Sequence, residues 1–197
     1  MPKRPAGVGE EGSLAIKIEP LAPSDYDGMV ALWKAAGLTY RPRGRDSRKA
    51  ISAQMKRPTA IYLKAVVAKG TGCRVPGAGS AGRKSAAARS SSSSPCTLHP
   101  APGTLGPTGK MVGVVLGSHD GRRGWINRLA VMPGCQKRGV GGMLVKELER
   151  RLAKLGLLLF AVQVDVGNRR SLKFFKGLGF RMHNDVHYLS KRKGDWA

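Results

Sequence analysis

Acidic residues are scarce in this chain: 12 Asp and Glu stand against 35 Lys and Arg, giving a formal net charge of +23 and an isoelectric point near 10.9. Such a balance works against polycationic ligands, because a polyamine or aminoglycoside is repelled over a Debye length of ~8 to 10 Å. Cysteine is limited to Cys73, Cys96 and Cys135. Their odd number and the lack of any C-x-x-C or Cys/His ligand spacing predict neither a disulfide framework nor a metal site. Cys135 stands beside a glycine-containing loop, where a helix N-terminus lowers a thiol pKa, and reads as a free thiol. Aromatics make up only 6% of the residues, so no strip of alternating basic and aromatic side chains is present for stacking nucleobases. No apolar run reaches the ~18 residues that cross a bilayer. Residues 1–12 carry bases together with Glu10 and Glu11, with no apolar segment behind them, so no secretory signal is read. The expectation is a soluble, cytoplasmic protein, with an organellar address left open.

What is present suits one domain: 197 residues with 41% apolar content. Between residues 69 and 110 the composition turns to Gly, Ala, Ser and Pro, with a serine run from Ser90 to Ser94 and no helix or strand period. This reads as a disordered low-complexity insertion. Strand-like runs at 60–68 and 111–118 flank it, so it reads as an overgrown hairpin loop, which costs little because closure entropy grows only logarithmically. The serine run could accept phosphate, but an inert linker is the simpler reading. The predicted organisation is a flexible N-terminus (1–13), a domain over 14–190 and a basic tail (191–197).

Periodicity predicts the elements. A first strand covers 14–19. Ser24 or Asp25 caps a helix whose apolar face is Tyr26, Met29, Val30 and Trp33, ended by Gly37. Asp46 caps a second helix to about Met55. After the hairpin, a turn at His119, Asp120 and Gly121 leads into a strand over 125–132. A strongly amphipathic helix covers 140–155, with Val140, Leu144, Leu148, Leu152 and Leu155 on one face, Lys146, Glu149, Arg150 and Lys154 on the other, and Gly156 as the stop. A continuous apolar run over 157–166 predicts a strand covered on both faces. Asn168 caps a short helix, and 180–189 alternates as a final strand.

The stretch Gln136-Lys137-Arg138-Gly139-Val140-Gly141 joins a strand to the long helix, and a glycine turn at a helix start presents backbone N–H groups to an anion. A Walker-type loop would need Gly-Lys-Ser/Thr, which is missing. The dinucleotide fingerprint would need a third Gly where Leu144 stands. What remains is Q-x-x-G-x-G opening a helix. A second pattern follows downstream, Asn168-Arg169-Arg170-Ser171-Leu172-Lys173-Phe174-Phe175-Lys176-Gly177-Leu178-Gly179-Phe180. In this order the two resemble the signatures of the GCN5-related N-acetyltransferase (GNAT) superfamily, and Pro23-Ser24-Asp25-Tyr26-Asp27 with the helix after it is similar to small stand-alone bacterial members of the YpeA type.

The resemblance implies an α+β, three-layer fold with a mixed, mostly antiparallel sheet of about six strands and helices on both faces. It implies acetyl transfer from acetyl-coenzyme A to an amine by direct attack in a ternary complex, with no metal. Gln136, Lys137, Arg138, Gly139, Val140 and Gly141 would hold the diphosphate, Gly139 and Gly141 because side chains there would block its approach. The backbone of Leu129, Ala130 and Val131 would pair with the pantetheine arm, and the Leu129 N–H would polarise the thioester carbonyl. Strand alternation loses phase near Arg128, as expected for the bulge that family members carry. Asn168 would lie near the coenzyme, although capping alone explains it. Trp33, Tyr40 and Arg41, with Arg43, would shape the acceptor pocket; core packing for Trp33 and a solvated loop for the others compete with that role.

Two departures bear on mechanism. Phe175 stands at the cofactor-side position where the family has a Tyr that protonates the leaving thiolate, so no acid is available there and turnover should be slower rather than absent. Where many members have a Glu base on the fourth strand, this chain has Asn127 and Arg128. His119, Asp120, Asp165, Asp185 and His187 are candidates only through a water, and each is explained as well by a solvent-facing turn or strand. Without a base, deprotonating a lysine amine of pKa ~10.4 at neutral pH costs about 4.6 kcal/mol, against about 1 kcal/mol for an α-amine near 8. The acceptor is therefore expected to be a protein or peptide α-amine or a low-pKa small amine in an acid-rich context, a ribosomal protein included. A nucleic-acid or ribosome-binding module and a catalytically impaired coenzyme-binding regulator are the rival readings; the oligomer is a monomer or homodimer.

Overall fold

The computed structural model describes residues 15–67 and 109–191. The expected N-terminal segment 1–13, nearly all of the insertion with Cys73, Cys96 and Ser90 to Ser94, and the last residues of the basic tail lie outside them.

Strand β1 (Ile16–Pro20) leads through a short 3-10 turn (Pro23–Asp25) into helix α1 (Tyr26–Ala35), followed by α2 (Arg48–Met55), β2 (Ala60–Val67), β3 (Lys110–His119), β4 (Gly124–Val131), a second 3-10 turn (Pro133–Cys135), α3 (Val140–Ala153), β5 (Phe160–Val162) and α4 (Arg169–Gly177). The strands form one sheet in the order β1-β2-β3-β4-β5. Neighbours are antiparallel except β4 and β5, which run parallel. Val67 lies opposite Lys110, so β2 and β3 pair directly on either side of the inserted segment.

Helix α3 covers one sheet face. Its stripe of Val140, Leu144, Val145, Leu148 and Leu152 is fully buried against Leu63, Val112, Val115 and Ile126. Glycines on the strands let it approach: a Cβ on Gly113, Gly117 or Gly124 would meet Leu144, Leu148 or Leu152 at 2.8 Å or less. Helices α1 and α2 cover the other face, where Met29, Leu32, Trp33 and Ile51 pack on Val114, Leu116 and Ala130. Two apolar clusters with a sheet between them make the three-layer α+β architecture read from the sequence.

Several expectations need correction. The sheet has five strands among the described residues, because residues 180–191 adopt no regular secondary structure. Alternation specifies a strand only where a sheet edge supplies its hydrogen bonds. Here β5 is three residues long, and Met182, Val186, Tyr188 and Leu189 stay exposed. The apolar run 157–166 is likewise strand only over Phe160–Val162, since the chain leaves β4 after three paired residues. Leu155 lies beyond the end of α3 and is 56% exposed, while Gly156 does stop the helix with φ +80°. Glu149 is half-buried rather than solvent-facing, and burial raises its carboxyl pKa. Ser47, not Asp46, caps α2, accepting from the Ala50 N–H at 3.2 Å. Asp25 is the N-cap residue of α1, as one of the two expected alternatives, but its carboxylate makes no bond to the helix; it accepts from the Ala22 N–H at 2.8 Å and pairs with Lys64 Nζ at 2.8 Å.

Candidate active site

The chemistry of the candidate site begins with a defect in β4. Leu116 of β3 lies opposite Arg128 and Gly117 lies opposite Ile126, so Asn127 is an extra residue. Before this bulge, the Gly124 N–H donates to the Leu159 carbonyl at 2.9 Å, toward β5. Beyond it, the Met132 N–H donates to the Val112 carbonyl at 2.8 Å, toward β3. In an extended strand, each residue directs its own N–H and C=O to the same side and its neighbours direct theirs to the opposite one. The bulge therefore inverts the alternation: even-numbered residues face β5 up to Ile126, whereas Leu129 and Val131 turn their backbone groups that way afterwards. Pairing with β5 ends at Ile126 opposite Val162. Leu129 and Val131 thus present donors and acceptors to an edge that no strand covers among the described residues.

That edge runs directly into the turn before α3. After Pro133–Cys135, Gln136 is extended, Lys137 has φ +61° and Gly139, the N-cap of α3, has φ +80°. Lys137 is the non-glycine with positive φ among the described residues, a conformation costing about 1–2 kcal/mol. Lys137, Arg138 and Gly139 are exposed. The first bond of α3 is from the Met143 N–H to the Gly139 carbonyl at 3.0 Å, so the amides of Val140, Gly141 and Gly142 precede the helical ladder at its positive end. The two glycines have reasons of their own within the fold. Gly139 needs its left-handed φ, and nothing lies within 4 Å of where its Cβ would be. A Cβ on Gly141 would sit 3.2 Å from the Phe174 ring.

Gln136 spans this turn. Its side-chain amide donates to the Val131 carbonyl at 2.9 Å and its oxygen accepts from Arg170 at the start of α4. Asn168 caps α4, accepting from the Ser171 N–H at 3.0 Å, and is exposed beside Arg169 and Arg170. Phe175 is only 6% exposed, edge-on to Phe174 (centroids 5.0 Å) and Phe180 (5.3 Å) in the α3-side core. It has no proton to donate.

On the opposite face, the bulge brings Asn127 and Arg128 to the same side. Asn127 donates to Ser118 Oγ at 2.8 Å. The Arg128 guanidinium lies 4.6 Å above the Trp33 ring, with one Nη donating to Thr39 O and the other to Asp46 Oδ2, each at 2.8 Å. Burial lowers the Arg128 pKa, and Asp46 partly restores it. Asp46 also accepts from the Arg41 N–H at 3.0 Å, and its carbonyl accepts from the Tyr26 hydroxyl at 2.7 Å, which in turn lies 3.0 Å from the Tyr40 hydroxyl. Burial and the Tyr40 hydroxyl push the Tyr26 pKa up to about 12. Trp33, Tyr40 and Arg41 are therefore gathered beside β4, with Arg43 in the same exposed loop. Asp46 was missed as a site residue: adjacent Asp46 and Ser47 are equivalent capping signals in sequence, and the fold assigns the cap to Ser47, leaving Asp46 for Arg128.

The remaining candidates are not brought in. Val115 lies opposite Leu129, so His119, four residues along β3, is about 13 Å away by strand rise. Its Nδ1 is buried without a hydrogen-bond partner among the described residues. Asp120 lies in the exposed turn beyond; the Arg123 and Arg122 amides and the Trp125 indole hold its carboxyl down to about 2. Asp165, Asp185 and His187 are exposed. Cys135 is buried and forms no disulfide among the described residues. Among the described residues there is no cluster of three metal-ligating side chains, and no helix is long and apolar enough to cross a membrane.

Comparison with known proteins bears on the fold that carries this site. The acetyltransferase (GNAT) family model matches residues 90–180. Among solved structures, an aminoglycoside acetyltransferase from an uncultured soil metagenomic sample is similar, with TM-score 0.59 and 16% identity over 90% of this chain and 97% of that one. The PaiA N-acetyltransferase of Thermoplasma acidophilum, solved with coenzyme A, gives TM-score 0.60 and 14% identity over 88% and 94%. A ribosomal-protein-alanine N-acetyltransferase from Brucella melitensis biovar Abortus 2308 gives 0.54 and 13% over 90% and 100%. At such identities these likenesses speak for the fold. Residues 90–180 match the acetyltransferase (GNAT) family model, and the chain shares the fold of solved N-acetyltransferases.

Proposed function

We propose that this chain binds acetyl-coenzyme A through the open edge of β4 and the turn before α3, and passes the acetyl group directly to an amine. The carrying observation is the bulge at Asn127, which turns Leu129 and Val131 toward an edge that no strand covers among the described residues, leading into the turn of Lys137 and Gly139. The coenzyme supplies an acetyl thioester. The Leu129 N–H is the donor for its carbonyl oxygen, and Val131 continues the edge while Ala130 turns its backbone to β3. The amides at Lys137, Arg138, Gly139, Val140 and Gly141 take the diphosphate, with Gln136, whose own amide donates to the Pro133 carbonyl, at the head of the turn. Arg170, bonded to the Gln136 side-chain oxygen, adds positive charge beside the turn, and Asn168 caps the helix that carries it.

The acceptor amine arrives unprotonated, because Arg128 occupies the region where a carboxylate base is usual in the family. As its nitrogen bonds to the acetyl carbon, the carbon–sulfur bond breaks; the thiol leaves as thiolate, since Phe175 cannot protonate it, and the proton lost from the new amide nitrogen passes to solvent. An α-amine or another low-pKa amine fits these constraints. A polycation does not, because the acids on the α1 and α2 side are already taken: Asp25 by Lys64, Asp27 by Arg48 and Asp46 by Arg128. The α-amine of an acid-rich protein, a ribosomal protein among them, is the fitting acceptor.

Calorimetric titration with acetyl-coenzyme A, followed by thiol release with a panel of amines, tests the proposal. Wild type should bind and turn over, and Gly139→Glu should do neither. Binding without transfer to any amine would leave a coenzyme-binding regulator. Salt-sensitive RNA binding that survives Gly139→Glu, with no coenzyme binding, would favour the nucleic-acid reading.

A further inference from the structure

We propose that Arg128 and Arg45, gathered on Asp46, select acceptors in which a carboxylate lies close to the reacting amine. The inference rests on the acetyl-transfer reading above and names the acceptor's chemistry. Arg128 immediately precedes Leu129, so their Cα atoms are ~3.8 Å apart. Arg128 lies on the α1/α2 face of β4, while the Leu129 N–H faces the open edge. A group held by Arg128 is therefore next to the position where the thioester carbonyl is received.

Among the described residues, the Asp46 carboxylate serves two guanidinium groups. It is paired with Arg128 at 2.8 Å, and Arg45 Nε lies 3.9 Å from its other oxygen. One negative charge thus faces the two positive charges of Arg45 and Arg128. Asp25 and Asp27 cannot compensate, being paired with Lys64 and Arg48. An anion arriving here meets excess positive charge in a half-buried place, where such a contact is screened less than on an open surface.

Direction is set as well as charge. The Arg128 side chain is 13% exposed, its plane fixed over Trp33 and by Thr39 O and Asp46 Oδ2. Those two bonds use two of the five N–H donors of a guanidinium, so the remainder point in fixed directions, as carboxylate recognition requires. Arg45 has a side chain 58% exposed and can turn toward the same anion. Two sources present an amine with a nearby carboxylate: a free α-amino acid, and a peptide that begins with Asp or Glu.

The test compares glycine with glycinamide, and tripeptides Asp-Ala-Ala with Asn-Ala-Ala, as acceptors for the full chain with acetyl-coenzyme A, with rates expressed per free amine. In at least one pair the acid should be favoured about tenfold or more in kcat/KM, as charge-assisted bonds allow, and 0.5 M salt should erode the preference. Arg45→Gln should raise KM for the acid several-fold with little change in kcat or in the amide's constants, and Arg45→Lys should recover part of it. Which pair responds identifies the source. Turnover with acid and amide at parity in both pairs, or faster transfer to spermidine, would overturn the selection and leave acetyl transfer standing. No transfer to any acceptor, with calorimetry still showing coenzyme binding, would remove both.

Discussion

The side-chain amide of Gln136 donates to the carbonyl oxygen of Val131 at 2.9 Å, across the corner where β4 gives way to the turn before α3. Val131 is one of the residues whose backbone faces the open edge. Gln136 therefore caps an acceptor that a pantetheine arm lying along β4 would use, and Arg170 holds it there. Coenzyme binding has to exchange one hydrogen bond for another. Gln136→Ala should tighten acetyl-coenzyme A binding by a few-fold, the scale of about 1 kcal/mol for one net hydrogen bond. Weaker binding in calorimetry would mean that Gln136 contacts the coenzyme itself.

The two glycines of the turn should fail differently. Gly139→Ala places a Cβ in a left-handed residue, at a cost of about 1–2 kcal/mol, without touching a neighbour. Gly141→Ala keeps an ordinary helical backbone but pushes on the Phe174 ring from 3.2 Å, and should move α3 relative to α4. Melting temperature should fall in both. The Phe174 side-chain NMR resonances should shift strongly only in the second.

Phe175→Tyr adds a hydroxyl to a ring that is 6% exposed and packed edge-on between Phe174 and Phe180. An unpaired hydroxyl there costs about 1–3 kcal/mol, so the coenzyme-free protein should melt several degrees lower. An unchanged melting temperature would place the ring's para position in open space, where the new hydroxyl could serve the leaving thiolate.

Arg128→Ala should be among the most damaging single changes. It leaves the Asp46 carboxylate, 3% exposed, without its main partner, and removes the cation from the face of Trp33. Loss of one member of a buried pair costs about 3–5 kcal/mol. Arg128→Ala with Asp46→Ala should cost less than the sum of the single changes in urea unfolding; simple additivity would show that the pair does not act as a unit.

Glu147 on α3 accepts from Arg150 at 2.7 Å and Arg151 at 2.9 Å, and these bonds hold its carboxyl down to about 2. The folded value lies below the unfolded one, so the unfolded chain binds the extra proton. Stability from this group is present above pH ~4.5 and is lost as pH falls toward 2. Much of the cluster is exposed to solvent, so the effect is a fraction of what the shift alone suggests. Glu147→Gln should flatten the fall of melting temperature between pH 4.5 and 2 and change little at pH 7. An equally steep fall would assign the acid sensitivity elsewhere, with Asp120 the next candidate.

What the sequence settled by itself was whatever depends on near neighbours along the chain. The apolar spacing of α3, the Asn168 cap, the stop at Gly156 and the glycine turn at the start of α3 follow from interactions three or four residues long, and together they marked the corner between β4 and α3. Tertiary structure decided the rest. Arg128 meets Thr39 and Asp46 across sequence separations of 89 and 82 residues, and no local pattern encodes such a meeting. The assignment of the α2 cap to Ser47 depended on Asp46 being drawn into that pair. The strand expected over 180–189 had the right alternation but no edge long enough to complete its hydrogen bonds. The loss of phase at Arg128 was legible along the chain, but its consequence, the turning of Leu129 and Val131 toward an open edge, exists only once β3 fixes one side of β4 and β5 leaves the other.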